Sequence, residues 1–471
     1  MPSETAGPGV AADEAPRPLS RRLLRLTIEV APALVVALVL LPWIIATGSG
    51  RPWQPAMIDL DVYVAAVRDL LAGGDIYATR TPKWNLPFIY PPIAALIMVP
   101  VAWLPTWVLQ IVWAVLTVVA QRLILVRAGV RRAGALALAN AGLVLAFEPF
   151  RTTLGYGQVN TLLMALVVAD LLPRRERSGW FPRGALIGLA AAIKLTPLAF
   201  VVFAVLVGRR AVAVWGVGTF VGLTGLGALI LPRETAVFAR KVLTGNLYGD
   251  PVYVGNQSVN AVFARLVGND PTTERIALLA SGLAGLLALI VAVLWWRRGQ
   301  RVLAVGLVGL ATCLASPLSW THHHVWALLI AVAVLSSTLA WWPRVVGGTW
   351  SLWIALCPVL VFLPYGSGAE AGYSVGQQVV ANLGPALAIA LCLGLLVEAI
   401  AGSDRGLAVP TSSRCAGLSA RLMSCASLLA ACGAPSRPLK DNHARTSFPH
   451  QHTRPQHGGR PRALARDRHG R

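Results

Sequence analysis

Apolar runs separated by short polar segments fill the chain from about residue 28 to residue 400. Several of these runs approach the roughly 20 apolar residues that a transmembrane α-helix needs, and others are shorter. The pattern predicts an all-α polytopic membrane protein with about 10 to 12 transmembrane helices and outer juxtamembrane helices.

The individual crossings are predicted from the separate runs. The first covers 28–45, and the run from Pro91 to about Ala120 is interpreted as one bent crossing interrupted near Pro100 and Pro105. The later crossings are predicted at 134–147, 158–172, 181–193, 197–207, 211–231, 276–296, 302–316, 323–341, 347–364 and 380–400.

Composition supports the same class of protein. Hydrophobic residues make up 56% of the chain and charged residues 13%, which is too apolar for a soluble fold of 471 residues. The net charge of +21 would suggest nucleic-acid binding in a soluble protein, but Lys and Arg concentrate here in short loops and in both terminal segments. We therefore predict contact with anionic membrane lipid and no nucleic-acid partner.

Three regions follow from these patterns. Residues 1–20 are rich in Pro, Ala and Gly and are predicted to form a disordered cytoplasmic N-terminus. Arg21, Arg22 and Arg25 precede the first apolar run, which lacks a convincing signal cleavage site and is predicted to be an uncleaved helix that starts in the cytoplasm. Residues 21–401 form the transmembrane domain, and 402–471 form a basic cytoplasmic tail.

The tail carries twelve Lys or Arg against three Asp, with five of the eight histidines. Such a composition cannot bury enough apolar surface to fold, so the tail is predicted to be disordered. Its Arg, Ala, Pro and His bias also resembles out-of-frame translation of a GC-rich gene. We expect deletion of residues 411–471 to leave activity intact.

Polar segments divide between the two sides of the predicted membrane. One side receives short basic loops, which the positive-inside rule assigns to the cytoplasm. They are 122–132, 173–177, 208–210, 296–301 and 342–344. The other side receives the polar segments 58–92, 147–160, 193–197, 232–275 and 316–324. Because polar groups are costly at membrane depth, their convergence predicts a functional site on the extracytoplasmic face.

The segment 58–92 is the most acidic part of this outer side. It holds Asp59, Asp61, Asp69 and Asp75 within seventeen positions, in a chain with only 20 acidic residues. Asp59 and Asp61 could instead cap a juxtamembrane helix running from about residue 62 to residue 72, because Asp accepts hydrogen bonds from free amides at a helix start. Capping and catalysis are compatible, so both interpretations stay open.

Other candidates also have structural alternatives. Glu148 and Arg151 are three positions apart and could pair on one helical turn. Lys194 interrupts an apolar stretch, where a cation is costly unless it reaches the interface or binds an anion.

The three consecutive histidines 322–324 suggest a metal site. Consecutive side chains point in different directions, however, so at most two of them could face one ion. We therefore predict no metal, and expect His322 or His323 to form hydrogen bonds or to contact a phosphate. The six Cys have neither metal-ligand nor disulfide spacing.

Six motifs occur in a fixed order between residues 20 and 400. They are Asp-Leu-x-Val-Tyr at 59–63, Leu-Pro-Phe-x-Tyr-Pro-Pro at 86–92, Glu-Pro-x-Arg-(x)4-Tyr-Gly-Gln-x-Asn at 148–160, Lys-Leu-Thr-Pro at 194–197, Asn-Gln-Ser at 256–258 and Ser-Trp-Thr-His-His at 319–323. Each motif is weak alone. Their order and spacing resemble the actinobacterial polyprenyl-phosphomannose-dependent α-(1→2)-mannosyltransferases, which are glycosyltransferase family 87 of the C type.

The resemblance implies a GT-C fold, a lipid-linked sugar donor, an active site on the outer face of the plasma membrane, and chemistry without a metal or other cofactor. It implies that Asp59 is the catalytic base. Some members carry His where this chain has Asp61, so a catalytic role for Asp61 stays open. The donor-phosphate candidates are Lys194, Arg151, His322 and His323. The other substrate-binding candidates are Asp61, Tyr63, Tyr90, Glu148, Tyr156, Gln158, Asn160, Asn256, Gln257 and Trp320.

The activity implied is inverting transfer of mannose from polyprenyl phosphomannose to a mannosylated glycolipid. Phosphatidylinositol mannosides, lipomannan and arabinomannan all require the same α-(1→2) bond, so the acceptor stays open. A flippase or transporter of lipid-linked sugar would also need many helices and intramembrane charges, but it predicts repeated halves, and the sequence shows no internal repeat. A non-enzymatic scaffold would have no need of Lys194 or the histidines at their positions.

Overall fold

A computed structural model describes residues 19–40, 57–173, 181–243, 249–336, 339–366 and 368–401. Regular structure in these ranges is helical, with two isolated antiparallel bridges, Arg80 with Pro87 and Asn256 with Trp320. The α-helices are α1 Leu19–Val35, α2 Ile58–Leu71, α3 Pro92–Met98, α4 Thr106–Arg127, α5 Ala133–Ala146, α6 Glu148–Tyr156, α7 Asn160–Leu171, α8 Ala185–Ile193, α9 Leu198–Leu206, α10 Arg210–Ile230, α11 Pro232–Leu243, α12 Val259–Leu266, α13 Pro271–Arg297, α14 Arg301–Ala315, α15 Ala327–Ser336, α16 Trp341–Leu356, α17 Pro358–Phe362 and α18 Val375–Ala401.

Shorter helical turns connect some of these elements. Val36–Leu40 continues α1 as a π-helix, and Thr321–Trp326 forms a 3₁₀-helix directly before α15. The predicted tail 402–471 and residues 1–18 of the predicted N-terminal segment lie outside the described residues, while Leu19 and Ser20 already belong to α1.

Four of the described helices, α4, α10, α13 and α18, are long and apolar enough to cross a membrane. The pair α5 and α6, bent by 72°, adds a fifth crossing if both count as one. Other predicted crossings correspond to shorter helices: α7 has 12 residues, and α8 and α9 have 9 residues each. The structure confirms a polytopic helical membrane protein. The predicted number of 10 to 12 crossings is not reached when the described helices are counted by length and hydropathy alone.

The run that begins at Pro91 differs from the expected bent crossing. It is divided into α3, with 7 residues, and α4, with 22 residues, which is long enough to cross by itself. Pro91 and Pro105 directly precede the two helices, where the fixed φ of proline suits a helix start. The short α3 packs instead against α8 and α10. One crossing therefore remains in this run, and α4 alone provides it.

The main hydrophobic core lies among α7, α13, α14, α15 and α18. A second cluster joins α2 to the loop after it and to α4, through buried side chains such as Leu60, Tyr63, Phe88 and Trp113. The second cluster holds α2 in place although α2 is too short to be a membrane span.

A buried ion pair joins α1 to the rest of the bundle. Glu29 is 0% exposed, and its two carboxylate oxygens accept hydrogen bonds from Arg25 Nε and Arg122 Nε, each at 2.7 Å. Asn140 on α5 donates to the Glu29 backbone carbonyl at 3.4 Å. A buried carboxylate requires such partners, so this cluster ties α1 to α4 and α5.

Candidate active site

Helix α2 begins earlier than the sequence predicts. Ile58 is its first residue, so Asp59 and Asp61 lie within the first turn, and Met57 at the N-cap position makes no side-chain cap bond. Met57 has a left-handed conformation (φ 52°), and its amide donates to the Gly155 carbonyl at 2.7 Å. This anchored turn starts the helix directly after Met57. The helix-capping interpretation of the two aspartates is therefore wrong.

A close contact between α2 and the end of α6 sets the position of Asp59. Gly157 has φ 67°, and a Cβ atom there would lie 2.7 Å from Leu60 Cβ and 3.1 Å from Met57 Cβ. Glycine is required because it allows this backbone conformation and leaves room for the neighbouring helix. The contact brings Gln158, the next residue, to the Asp59 side of α2.

Gln158 is the centre of a buried hydrogen-bond network. Its Oε1 accepts from Tyr63 Oη and Tyr90 Oη, both at 3.2 Å, and the two phenol oxygens are 3.0 Å apart. The Gln158 side chain also forms a hydrogen bond with Asp59. Asp59 and Tyr63 are four positions apart and share one face of α2, which is why both reach the same amide.

The pKa of the Asp59 carboxyl is shifted toward neutral pH. Removal of water by the surrounding protein raises its pKa to about 7, while the Gln158 hydrogen bond and the positive charge of Lys194 act in the opposite direction. A carboxylate with such a pKa is poised to accept a proton near neutral pH.

Lys194 lies at the break between α8 and α9. It follows the last residue of α8 and has extended backbone angles (φ −150°, ψ 129°), which aim its side chain away from the helix axis. Its Nζ donates to Asn160 Oδ1 at 3.0 Å and lies 5.9 Å from the Tyr90 ring centroid. The cation therefore belongs to the same cluster as Asp59, Gln158 and Tyr90.

The 3₁₀-helix Thr321–Trp326 brings His322 to this cluster. Asn160 Nδ2 and Thr153 Oγ1 donate to the His322 carbonyl at 3.1 and 3.3 Å. The imidazole packs edge-on against Tyr156, with centroids 5.1 Å apart, and its Nε2 is buried without a hydrogen-bond partner among the described residues. A buried nitrogen of this kind is available to a ligand.

His323 lies beside His322, with ring centroids 4.8 Å apart. The charge of Lys194 acts on both rings. The structure thus brings together Asp59, Lys194, His322 and His323 from the predicted catalytic and phosphate-binding residues, and Tyr63, Tyr90, Gln158 and Asn160 from the predicted substrate-binding residues.

Glu148 and Arg151 form a neighbouring buried cluster. Glu148 Oε1 accepts from Thr321 Oγ1 at 2.7 Å and from Thr152 Oγ1 at 2.9 Å, and the charges of Glu148 and Arg151 interact. Glu148 therefore holds the 3₁₀-helix that carries His322. Tyr156 lies within reach of both clusters, because its phenol group interacts electrostatically with the charges of Asp59 and Glu148.

The predicted residue Asn256 lies in a tightly bonded loop. Its Nδ2 donates to the carbonyls of Pro251 and Pro317, both at 3.2 Å, and its Oδ1 accepts from the amides of Ser258 and Ser319 at 3.3 and 2.9 Å. These bonds join the segment before α12 to the segment before the 3₁₀-helix.

Gln257 and Trp320 belong to the same loop structure. Gln257 Nε2 donates to the carbonyls of Val254 and Ala381 at 2.8 and 3.1 Å, and Trp320 packs edge-on against Tyr253 at 5.8 Å. Substrate contact by Asn256, Gln257 and Trp320 stays a prediction.

Asp61 is separated from Asp59. Two positions along an α-helix turn a side chain by about 200°, so the two carboxylates point to opposite sides of α2. Asp61 faces a cavity lined by Arg68 and Lys83, and the charges of these two residues act on it. Burial raises the pKa of Asp61 from its ordinary value, and the two cations act in the opposite direction.

No group of three or more His, Cys, Asp or Glu side chains that could hold a metal ion occurs in the described ranges. Metal-independent chemistry stays a prediction. Cys313, Cys357 and Cys392 are buried free thiols.

Sequence reasoning missed several residues that position this site. Thr153 and Thr321 act on the His322 segment through hydroxyl groups, and Gly157 acts through its lack of a side chain. Thr153 and Gly157 lie inside the motif at 148–160, and Thr321 lies inside the motif at 319–323. Their position within these motifs was the one feature of the sequence that could have indicated their importance.

Comparison with known proteins identifies the family. Residues 88–317 match the model of glycosyltransferase family 87. A Mycolicibacterium smegmatis protein named polyprenol-phosphate-mannose-dependent alpha-(1-2)-phosphatidylinositol pentamannoside mannosyltransferase is 32% identical over 350 residues, which cover 69% of this chain and 78% of that protein. The chain belongs to glycosyltransferase family 87.

Two further relatives of this family 87 chain have related names. A Mycobacterium tuberculosis protein with the same pentamannoside name is 32% identical over 318 residues, covering 62% of this chain and 70% of that protein. A second M. smegmatis protein, named for a phosphatidylinositol mannoside acceptor, is 34% identical over 324 residues, covering 60% of this chain and 71% of that protein. No solved structure matches the chain. The family and its relatives make this chain a membrane glycosyltransferase.

Proposed function

We propose that this protein transfers mannose from polyprenyl phosphomannose to a phosphatidylinositol mannoside, forming an α-(1→2) bond with inversion at the anomeric carbon. The proposal rests on one observation above all: Asp59, a carboxyl with a pKa of about 7, shares a buried cluster with the cation Lys194. A base and an anion-binding group in one enclosed site are the two requirements of this reaction.

The chemical step places Asp59 beside the acceptor. The 2-hydroxyl oxygen of the acceptor mannose attacks the anomeric carbon of the donor, and its proton passes to an Asp59 carboxylate oxygen. The bond between the anomeric carbon and the phosphate oxygen breaks, and polyprenyl phosphate leaves with the electron pair. One carboxylate is sufficient because the donor is already activated as a phosphodiester.

The phosphate side of the site is assigned to Lys194 and His322. Lys194 supplies a positive charge that stabilises the leaving phosphate, and the unpartnered Nε2 of His322 supplies a further polar contact. Arg151 and His323 are proposed as additional phosphate contacts. Arg151 interacts with the charge of Glu148, which in turn bonds Thr321 beside His322.

The acceptor is proposed from the names of the relatives, all three of which refer to phosphatidylinositol mannosides. Tyr63, Tyr90, Gln158, Asn160 and Tyr156 are proposed to contact the mannose units. Their phenol and amide groups lie in the cluster that contains Asp59, Lys194 and His322, where they can exchange hydrogen bonds with sugar hydroxyls.

We further propose a GT-C arrangement of 10 to 12 crossings in the plasma membrane, with Asp59 on the extracytoplasmic side. Short basic loops on the opposite side support this orientation. Labelling of single-cysteine variants in intact cells with a membrane-impermeant maleimide tests it. Asp250→Cys should be labelled and Arg131→Cys should not, whereas the reverse pattern would refute the orientation.

The activity is tested with purified protein, synthetic polyprenyl phosphomannose and a phosphatidylinositol mannoside. The expected product carries one additional α-(1→2)-linked mannose, identified by NMR and by digestion with a linkage-specific mannosidase. Inversion that gives an α-linked product requires a β-linked mannosyl phosphate donor, so a β-linked product from that donor would refute inversion.

A transport function predicts a different result in the same system. A flippase would move polyprenyl phosphomannose across the bilayer of reconstituted vesicles without forming product. Transfer that depends on Asp59 and proceeds in detergent, where no second compartment exists, supports the enzyme.

A further inference from the structure

A cavity of about 430 Å³ lies on the side of α2 opposite to Asp59. Its polar lining comes from Asp61, Arg68, Thr81, Lys83, Trp84 and Thr106. The volume falls within the range of roughly 300 to 1,000 Å³ that is usual for small-ligand sites. Leu60, which is buried, separates this cavity from the Asp59 cluster. The cavity and the Asp59 cluster therefore lie on opposite sides of the same helix.

The charges in this cavity favour an anion. Arg68 and Lys83 both act on Asp61, so two cations face one carboxylate and leave a surplus of one positive charge. Lys83 Nζ lies 5.0 Å from the Trp84 ring centroid. This cation–π contact keeps the ammonium over the indole at the cavity wall.

Arg68 is held at the cavity by backbone bonds. Its Nε donates to the Ala102 carbonyl at 3.2 Å and its Nη2 to the Leu104 carbonyl at 3.5 Å. These bonds use two of the five N–H donors of the guanidinium group. The fixed fork is suited to hold a phosphate oxygen with the donors that face the cavity.

The cavity lies at one end of a helix that is long and apolar enough to cross a membrane. Thr106, the first residue of the membrane-crossing α4, lines it. Trp103 and Trp107 beside it are 77% and 66% exposed. Exposed tryptophans at the end of a membrane-crossing helix are typical of the membrane–water interface, where phospholipid phosphates lie.

We propose that this cavity binds the phosphodiester of the acceptor phospholipid while the mannose end of the same molecule reaches Asp59. The inference rests on the proposed function. The width of α2, about 10 to 12 Å with side chains, separates the two sites, and a headgroup carrying several sugars can extend around it. Lys83 and Arg68 are thus binding residues for the acceptor phosphate.

The test compares two acceptors in neutral phosphatidylcholine nanodiscs. One is a phosphatidylinositol mannoside, and the other is an alkyl α-mannobioside that has no phosphate. The measured quantity is the kcat/KM for the phosphatidylinositol mannoside divided by the kcat/KM for the alkyl mannobioside. Loss of charged contacts to phosphate should lower this ratio roughly threefold in Lys83→Gln and roughly tenfold in Lys83→Gln with Arg68→Gln.

Matched variants separate charge from folding. Lys83→Arg and Arg68→Lys keep the positive charge, so the ratio should stay close to that of the unmodified protein. Arg233→Gln removes one exposed cation of α11 outside the cavity and should leave the ratio unchanged.

Three results would overturn the proposal. The first is a double variant in which neither kcat/KM value changes, and the second is one in which both values fall by the same factor, because the ratio is unchanged in both cases. The third is a fall in the ratio that appears only after phosphatidylglycerol is added to the nanodiscs, because bulk anionic lipid would then be the ligand. Absence of transfer to either acceptor by the unmodified protein would refute the proposed function instead.

Discussion

Two carboxylates in the first part of the chain have opposite surroundings. Glu29 on α1 is fully buried and is bonded by Arg25 and Arg122 through separate oxygens. Asp59 on α2 is partly buried, and its neighbours are the neutral amide of Gln158 and the positive charge of Lys194, whose Nζ donates its hydrogen bond to Asn160. The Glu29 carboxylate is bonded by arginines from two helices and joins α1 to α4. A carboxylate that is enclosed by protein with little opposite charge nearby has a higher affinity for a proton.

The comparison shows that two carboxylates of one membrane protein differ in how far neighbouring positive groups compensate them. A buried charge that is fully paired contributes to the stability of the fold, because removal of either partner leaves the other buried without a compensating charge. Incomplete pairing raises the pKa of a carboxyl and is typical of functional sites. Four substitutions test this distinction.

The largest effect is expected for Asp59→Asn. An amide cannot accept the acceptor proton, and general base catalysis contributes roughly 10²- to 10⁴-fold, so kcat should fall by about that factor. Transfer is measured with purified protein after the folded fraction has been determined by size-exclusion chromatography. Asp250→Asn, at an exposed loop position, is the matched control and should keep full activity. Retention of more than about a tenth of the activity by Asp59→Asn would exclude Asp59 as the base.

Lys194→Gln is expected to lower kcat by roughly 10²- to 10³-fold, because a preorganised group that stabilises the leaving phosphate is lost. It should also change the pH profile. In the unmodified protein, kcat/KM should decrease as pH falls through about 7, because Asp59 becomes protonated. Since the charge of Lys194 lowers the pKa of Asp59, its removal should move this decrease to higher pH. An unchanged profile would show that another group titrates. Lys194→Arg should keep the profile closer to that of the unmodified protein.

Gly157→Ala tests whether the contact between α6 and α2 positions Asp59. The added Cβ would lie 2.7 Å from Leu60 Cβ at a residue with φ 67°, so α2 must shift. We expect a roughly tenfold loss of kcat/KM and a loss of about 1–3 kcal/mol in stability, the usual cost of overpacking. Gly155→Ala is the control, because a Cβ there meets open space. Equal activity of the two variants would contradict the positioning role of Gly157.

Glu29→Gln should have the smallest effect on catalysis. It leaves Arg25 and Arg122 without their carboxylate, and the loss of charged hydrogen bonds should lower stability by about 1–3 kcal/mol. Thermal unfolding in detergent measures this loss. The kcat of the folded fraction should stay within about twofold of the unmodified protein, since Glu29 does not belong to the Asp59 cluster. A large decrease in kcat with unchanged stability would reverse the assignment of the two carboxylates.

Part of the site followed from local patterns. The family 87 motifs contain Asp59, Gln158, Asn160, Lys194 and His322, and the structure places all five in one cluster. Each motif follows or interrupts an apolar run, so its side chains are near a helix end where polar groups can converge. The order of the motifs was therefore informative about the members of the site.

Other parts depended on contacts between distant segments. Arg122 reaches Glu29 across 93 positions, and Thr321 reaches Glu148 across 173 positions. A repeating hydrophobic pattern indicates which side of a helix is buried, but it contains no information about which other helix covers that side. The cavity of Arg68, Lys83 and Trp84 was missed for the same reason.

The sequence by itself determined the helical membrane class, the family and most residues of the candidate site, because hydropathy and motif order are local properties of the chain. Only the tertiary structure decided that Asp59 and Asp61 have different surroundings. The two residues are equivalent by composition and spacing, but α2 directs one toward Gln158 and the other toward Lys83. The physical reason is that the environment of a carboxylate is set by the helices packed around it.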